Sequence, residues 1–470
     1  MRAQRDQTTE GKILTRLRLW FKYRILVPLT GPPSDGDYSH LRLRSGSDAV
    51  VVGIEDHLSA IAACLKRGDI ESITRRLCEL TLQLLAEPLW GRALFIPELD
   101  EVAREVSLIV TPSPNRATDS KLLVHVASVV HPIGGHTRVI EDIAAALPEY
   151  RHVLIITDMA TLAPMDLAPL LPRFKELHIK VRLLKASSWA EKVRELSSLV
   201  ATLGPQAVLL LAHYADSIAF VGVAGHAAPR VLFLHHCDHM PALGASRTDY
   251  THIDLTPGCH RFCAARPNLQ AALVNLTVKD CGTVRMIARH PIIGVTCGRE
   301  GKYQGASEFS YGQLLAALFS AGVGKIFHIG EMPKWQRDEI CAEVAANGQD
   351  ASRVTFLPNV PSLPAKLIEI SPDFYLVSHP LVGGKATVEA MSVGLPILLT
   401  RPISASPLLN VDMTLGTSVQ VADLAQISAA VRRLETEKDV LALNSRAVYE
   451  KYYLPQAFRE GLLSAIRTDR

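Results

Sequence analysis

The chain has 470 residues, of which 48% are apolar and 21% charged, with a formal net charge of +3. That length and composition exclude a disordered protein and call for two or three domains with sizeable cores. The small net charge excludes a general nucleic-acid binder.

Residues 1–44 are rich in Arg and Lys, and "LRLWFKYRILVPL" interleaves these with aromatic and aliphatic groups. Such a segment fits the surface of an anionic membrane as a peripheral contact. It fits equally a solvated arm or the first helix of a packed domain. No run approaches the roughly 18 apolar residues of a membrane-spanning helix, and no apolar stretch with a small-residue cleavage site opens the chain. A cytoplasmic protein, peripheral at most at the inner membrane face, is the expectation. The eight cysteines form no tight framework, which fits reduced thiols.

From about 50 to 110 apolar residues recur at spacings of three and four, so residues 1–118 read as a helical N-terminal extension. Turn formers in "TPSPNRATDS" mark its end. Strands and helices then alternate: "KLLVHVASVV", helix "TRVIEDIAAAL", "RHVLIITD", "IKVRLLK", helix "AEKVRELSSLVATL", "QAVLLLA" and "RVLFLHH". Apolar strands separated by amphipathic helices predict a parallel sheet covered on both faces. A second such series runs from "PIIGVTC" through "GKIFHIG", "RVTFLPN" and "DFYLVS" to "PILLT". The fold class is therefore α/β, with two tandem Rossmann-like doubly wound domains over residues 119–288 and 289–445. A helix in residues 446–470 is placed to pack back on the first domain.

Ligands of such sheets collect at the carboxyl ends of strands, where helix N-termini point unpaired N–H groups outward. Four unusual stretches follow strands. In "VSHPLVGGKATVEAMS", Gly383 and Gly384 permit close backbone approach to a diphosphate, Lys385 and Thr387 add a cation and a hydroxyl, and Glu389 is placed for a sugar hydroxyl. The plainer alternative is a Lys385–Glu389 pair along a helix, which leaves the two glycines unexplained. A P-loop is excluded, because Ala386 follows the lysine and His379 occupies the first glycine position; no G-x-G-x-x-G follows the first strand of either domain.

In "HPIGGHTRVIEDIA", Gly134 and Gly135 precede His136, a residue suited to proton transfer near neutrality or, as readily, to packing at a helix terminus. In "FLHHCDHMPALG", a strand ends in His235, His236, Asp238 and His239, with "CHRFC" downstream at 259–263. Its spacing departs from standard zinc modules, so no metal is assigned, and an Asp beside a His equally orients a base. In "VTCGREGKYQG", Arg299 and Lys302 reach a common anion from a glycine loop, and Gly330 follows the next strand.

Together, "GGHTRV", "GR…K", "RVTFLPNVPSLPAKL" and "DFYLVSHPLVGGKATVEAMSVGLPIL" resemble the GT-B fold of nucleotide-sugar-dependent glycosyltransferases, over about residues 120–445. The resemblance implies a C-terminal domain that holds a nucleoside diphosphate sugar, a UDP-sugar on family frequency, and an N-terminal domain that holds a glycan, lipid-linked or protein acceptor, with reaction in an interdomain cleft and no obligatory metal or other cofactor. On motif matching, Arg299, Lys302, Gly330, Gly383, Gly384, Lys385, Thr387 and Glu389 contact the donor. Gly134, Gly135, Arg138, His235 and His236 fall on the acceptor side, and His136, Asp238 and His239 are the candidate bases. The retaining E-x7-E group carries an acidic residue where this chain has Leu381. The segment is also similar to the glycine-pair turns of inverting GT-B enzymes, some of which glycosylate proteins. Rival readings are a nucleotide-sugar epimerase of the same architecture and a non-catalytic nucleotide-sugar-binding scaffold.

Overall fold

The computed structural model describes residues 60–86, 94–110, 119–132, 135–159, 165, 167–225, 230–236, 238, 240–304, 307–401 and 412–467. The basic 1–44 segment lies outside them. The described residues divide into two compact units. The first takes those up to Leu255, Cys259–Val274 and those from Gly461 on; the second takes Thr256–Gly258 and Asn275–Glu460.

The first unit includes helices α1 (Ile70–Ala86) and α2 (Pro97–Val110) ahead of its first strand. They are fixed by specific bonds: the Ala190 amide donates to Glu71 (2.7 Å), the Ser217 hydroxyl to the Thr74 carbonyl (2.6 Å) and the Gly244 amide to Asp100 (2.5 Å). Strands β1 (Asp119–Ala127), β2 (Arg151–Ile156), β3 (Ile179–Leu183), β4 (Pro205–Leu210), β5 (Val231–His235), β6 (Thr251–Asp254) and β7 (Gln270–Leu273) form one sheet, ordered β3-β2-β1-β4-β5-β6-β7. Every neighbouring pair is parallel. The last six residues of β1 are all buried, because helices cover both faces and no alternation is needed. The connecting helices are α3 (Gly135–Ala146), α4 (Leu171–Glu176), α5 (Trp189–Leu203), α6 (Ser217–Val223) and α7 (Pro257–Ala264). Ser188 starts α5 by accepting from the Glu191 amide, and Gly204 ends it in the left-handed conformation, φ 54°.

Histidines inside this sheet are paired across strands. His125 Nε2 lies 3.0 Å from His152 Nδ1, and His152 Nε2 lies 3.0 Å from the Leu147 carbonyl. The arrangement recurs with His235 and His252 at 2.9 Å, His252 Nε2 lying 2.8 Å from the Arg247 carbonyl. Burial holds His125, His152 and His252 below the ordinary imidazole range, so these three rings are neutral.

The second unit repeats the plan with β8 (Ile293–Cys297), β9 (Lys325–Ile329), β10 (Val354–Leu357), β11 (Phe374–Leu376), β12 (Ile397–Thr400) and β13 (Val419–Val421), ordered β10-β9-β8-β11-β12-β13 and parallel throughout. Helices α8 (Tyr311–Ser320), α9 (Lys334–Ala346), α10 (Leu363–Ile370), α11 (Gly384–Ser392), α12 (Ile427–Thr436), α13 (Lys438–Tyr452) and α14 (Pro455–Arg467) complete the chain. A reciprocal cap between Ser310 and Gln313 starts α8. Its Leu314, Leu315 and Leu318 pack with Ile326, Phe374 and Leu398 in one core. The end of α14 belongs to the first unit, where Arg230 donates to the carbonyls of Ala465 (3.2 Å) and Ile466 (2.5 Å).

The strands and helices expected from apolar runs are present. Three strands, β6 "THID", β7 "QAAL" and β13 "VQV", have no counterpart among those runs, being three or four residues long and partly polar. Among the described residues, no helix is long and apolar enough to cross a membrane.

One buried carboxylate joins three strand ends of the first sheet. Asp216 accepts from Ser128 Oγ and Thr157 Oγ1, each at 2.6 Å, and from the Ala219 amide at 3.0 Å, capping α6. Ser128 Oγ in turn accepts from the His213 amide at 2.7 Å. Ser128, Thr157 and Asp216 are fully buried. Each donor left unpaired there costs about 1–3 kcal/mol. With three donors affected, Asp216→Ala is therefore expected to destabilise the protein by about 3 kcal/mol or more, read as a lowered urea midpoint at unchanged slope.

Candidate active site

In a doubly wound sheet the strand order reverses once, and the loops leaving the two strands at that point diverge to opposite faces. The second sheet reverses between β8 and β11. After β8 the chain passes Gly298 and Arg299 into a short 3-10 turn, Glu300–Tyr303. After β11 it runs from Val377 to Gly383 and into α11. Lys302 joins the two loops: its ammonium donates to the Val382 carbonyl (2.9 Å), and its own carbonyl accepts from the Leu381 amide (3.2 Å). His379 fixes the second loop from below, bonded to Thr400 Oγ1 (2.8 Å) and the Phe309 carbonyl (2.9 Å) and stacked on the Phe309 ring at 4.5 Å.

Helix α11 starts at Gly384 with Gly383 as a cap that offers no side-chain acceptor to the first-turn amides. The two glycines differ: a methyl group at Gly383 falls 3.3 Å from Ser378 Oγ, a tight approach, whereas Gly384 has room for one. Gly383 has φ −95°, and a methyl group at Gly384 meets its nearest atom at 3.6 Å, an ordinary contact. Gly330 is different. It has φ +133°, and a methyl group there falls 2.3 Å from the Gly298 carbonyl oxygen. Close passage of two backbones accounts for that residue without a ligand.

Of the other residues matched to a donor, Arg299 is exposed at the head of its turn. Lys385 donates to the Thr277 carbonyl at 2.6 Å. Thr387 is buried, with its hydroxyl turned back onto the Gly383 carbonyl at 2.9 Å. Glu389 stands near the end of β8: burial first, and this carboxylate second, push the Cys297 thiol up to about 12. Lys302, Gly383 and Gly384 thus meet at the switch point, Arg299 heads one of its loops, Lys385 and Glu389 follow on α11, Thr387 faces inward and Gly330 serves packing.

The first sheet reverses between β1 and β4, and here too a glycine-to-helix turn follows the first of the two strands. Gly135 opens α3, exposed, with nothing near its absent side chain. His136 follows, its Nε2 bonded to the Leu211 carbonyl at the end of β4 and its ring stacked on His236 at 4.6 Å. His213, also past β4, packs against Tyr214. Burial depresses His136 and His213 to about 4 each and His236 well below its ordinary value. Backbone bonds to Leu211 and Val129 hold the His136 ring and partly offset the larger effect of burial.

His213 was not singled out by sequence; its signal was a polar residue directly after "VLLLA". Arg138 pairs with Glu141 at 3.0 Å, and Glu141 also meets Arg173 at 2.5 Å. His235 does not join the His136 group, because it is turned into the protein toward His252, Asp254 and Cys263. Asp238 is half-buried, and its charge is felt at His235. Gly134 and His239 lie outside the described residues.

Two parallel sheets of this order in one chain define the GT-B fold, and this chain has it. Its sequence matches no protein-family profile and no curated protein. Among solved structures it is similar to an O-GlcNAc transferase mutant of Thermobaculum terrenum, with TM-score 0.55 and 14% identity over 89% of this chain and 85% of that one. It is similar also to the lipopolysaccharide outer core galactosyltransferase WaaB (TM-score 0.53, 16% identity, 73% and 99% covered). A third is Anabaena HepE, solved with UDP and glucose (TM-score 0.54, 14% identity, 75% and 100% covered).

The glycines separate experimentally. Gly330→Ala should lower stability by at least about 2 kcal/mol through strain and backbone collision. Gly384→Ala should stay within about 1 kcal/mol of the parent, since alanine favours a helix and meets no close atom; chemical unfolding of both variants checks the contrast.

The histidines set a pH dependence. Unfolded imidazoles titrate near 6.5, whereas His136 and His213 titrate at about 4 in the folded protein, so below pH ~6.5 the unfolded chain binds more protons. Stability is then full above that pH and falls as pH drops toward 4, by up to about 1 kcal/mol per unit for each ring. The His136→Asn/His213→Asn variant should show a shallower fall of the urea midpoint between pH 7 and 5 than the parent.

Proposed function

We propose that the protein transfers a sugar from a nucleoside diphosphate sugar, with uridine as the base, to a hydroxyl or amide of a glycan, lipid-linked or protein acceptor. The observation that carries this reading is the Gly383–Gly384 pair at the N-terminus of α11. The pair sits at a topological switch point, beside a loop clasped by Lys302; Gly383 has a tight neighbour in Ser378, but no steric demand of the fold requires a glycine at 384. Close approach of a diphosphate to first-turn amides is the remaining physical use of such a turn.

In this reading the acceptor oxygen or nitrogen forms a bond to the anomeric carbon as the bond from that carbon to the phosphate oxygen breaks. The acceptor proton passes to the imidazole of His136, kept neutral at physiological pH by burial. The departing diphosphate is balanced by Arg299, by Lys385 exchanging the Thr277 carbonyl for a phosphate oxygen, and by the roughly half positive charge of the α11 terminus. These groups supply the charge without a divalent ion. Leu381, in the place of an acidic residue, favours inversion of the anomeric centre.

Thermal unfolding with UDP, GDP and ADP tests the donor site, because selective binding raises the midpoint by mass action. UDP should stabilise the parent, and Lys385→Ala or Gly384→Val should weaken that binding tenfold or more, about 1.4 kcal/mol each. Indifference to all three nucleotides, or unchanged affinity in both variants, sinks the proposal. Incubation with UDP-sugars then separates transfer from epimerisation and from binding without turnover.

A further inference from the structure

Four buried side chains of the first unit converge away from the His136 group. His235 ends β5 and Asp254 ends β6, directly opposite each other in the strand register. Cys259 and Cys263 project from one face of α7, four residues apart. One donor atom from each of the four lies within 4.8 Å of the other three. His235 Nε2 is 3.7 Å from Cys263 Sγ and 3.9 Å from an Asp254 oxygen, and Cys259 Sγ is 3.7 Å from that same oxygen. Relative exposures are 3% or less throughout.

A tetrahedral zinc site with bonds of roughly 2.0–2.3 Å spaces its donors about 3.3–3.8 Å apart. The three separations given lie at or just above those edges. Two thiols, an imidazole and a carboxylate also form a borderline-soft set that selects zinc over magnesium or calcium. His260 Nδ1, 3.0 Å from the other Asp254 oxygen, orients the carboxylate from the second layer, as metal-ligating carboxylates are oriented. Neither "HHCDH" nor "CHRFC" identifies this set alone. The sequence cluster placed His236, Asp238 and His239 beside His235, whereas the fold supplies Asp254 from the neighbouring strand.

We propose that His235, Asp254, Cys259 and Cys263 bind one structural zinc ion that ties the ends of β5 and β6 to α7. Both thiols bind as thiolates, releasing two protons to solvent, while Asp254 binds as carboxylate. His235 binds through Nε2, its ring proton moving to Nδ1 and its bond to His252 giving way. All four protein positions are filled, so no open coordination site remains for substrate.

The test uses the full chain purified without a polyhistidine tag. Elemental analysis should find about one zinc per chain, retained by Cys281→Ser, at an exposed thiol, and lost at least tenfold in Cys259→Ser/Cys263→Ser. Should the double variant fail to fold, cobalt titration of the parent after chelation decides: a thiolate-to-cobalt charge-transfer band with tetrahedral ligand-field absorption is expected. Absence of both zinc and that band overturns the proposal. So does equal metal content in the double-serine variant.

Discussion

A parallel sheet that reverses its strand order must open a gap at the carboxyl ends of two neighbouring strands, and this constraint places both the His136 group and the Gly383–Gly384 turn. Both sheets reverse once, between β1 and β4 and between β8 and β11. In each, a glycine-led turn feeds a helix beside the gap, α3 in the first sheet and α11 in the second. The rims are held differently. A buried carboxylate, Asp216, gathers three strand ends of the first sheet by accepting from Ser128, Thr157 and the first turn of α6. In the second sheet a lysine spans two loops through backbone carbonyl and amide groups.

Most of this architecture is legible in the sequence because parallel strands covered on both faces must be long apolar runs. "KLLVHVA", "AVLL" and "KIFHI" are such runs, and they lie in the sheet interiors. The short outer strands carry no such mark: β7 and β13 sit at sheet edges, where partial exposure tolerates "VQV", and β6 lies next to an edge, its His252 and Asp254 buried but paired with other polar groups. The glycine turns were legible for a related reason, since a helix rarely opens on adjacent glycines without a use for the space.

Side-chain company was less legible. Thr387 lies one turn into a helix from Gly383, and its hydroxyl donates to the Gly383 carbonyl. His235 follows an apolar strand and so resembles a strand-end catalytic residue, but its ring is turned toward β6 and α7. Asp254 could not be joined to Cys259 and Cys263 without knowing that β6 pairs with β5. Histidines in strands also defeat simple patterning. They behave as neutral, buried residues here because most ring nitrogens of the interior pairs meet another ring or a carbonyl, as in His125–His152–Leu147, with His125 Nδ1 left unpartnered.

Lys302 has a further effect. Its two bonds to the segment at Leu381 and Val382 make the loops on either side of the second gap a single body, so that one cannot swing without carrying the other. Loops held in this manner have their shape set by the fold itself, and in the reading proposed above little ordering is left for the moment of encounter. Association should then follow one exponential limited by diffusion and collision geometry, with no slow conformational phase on the second unit's side.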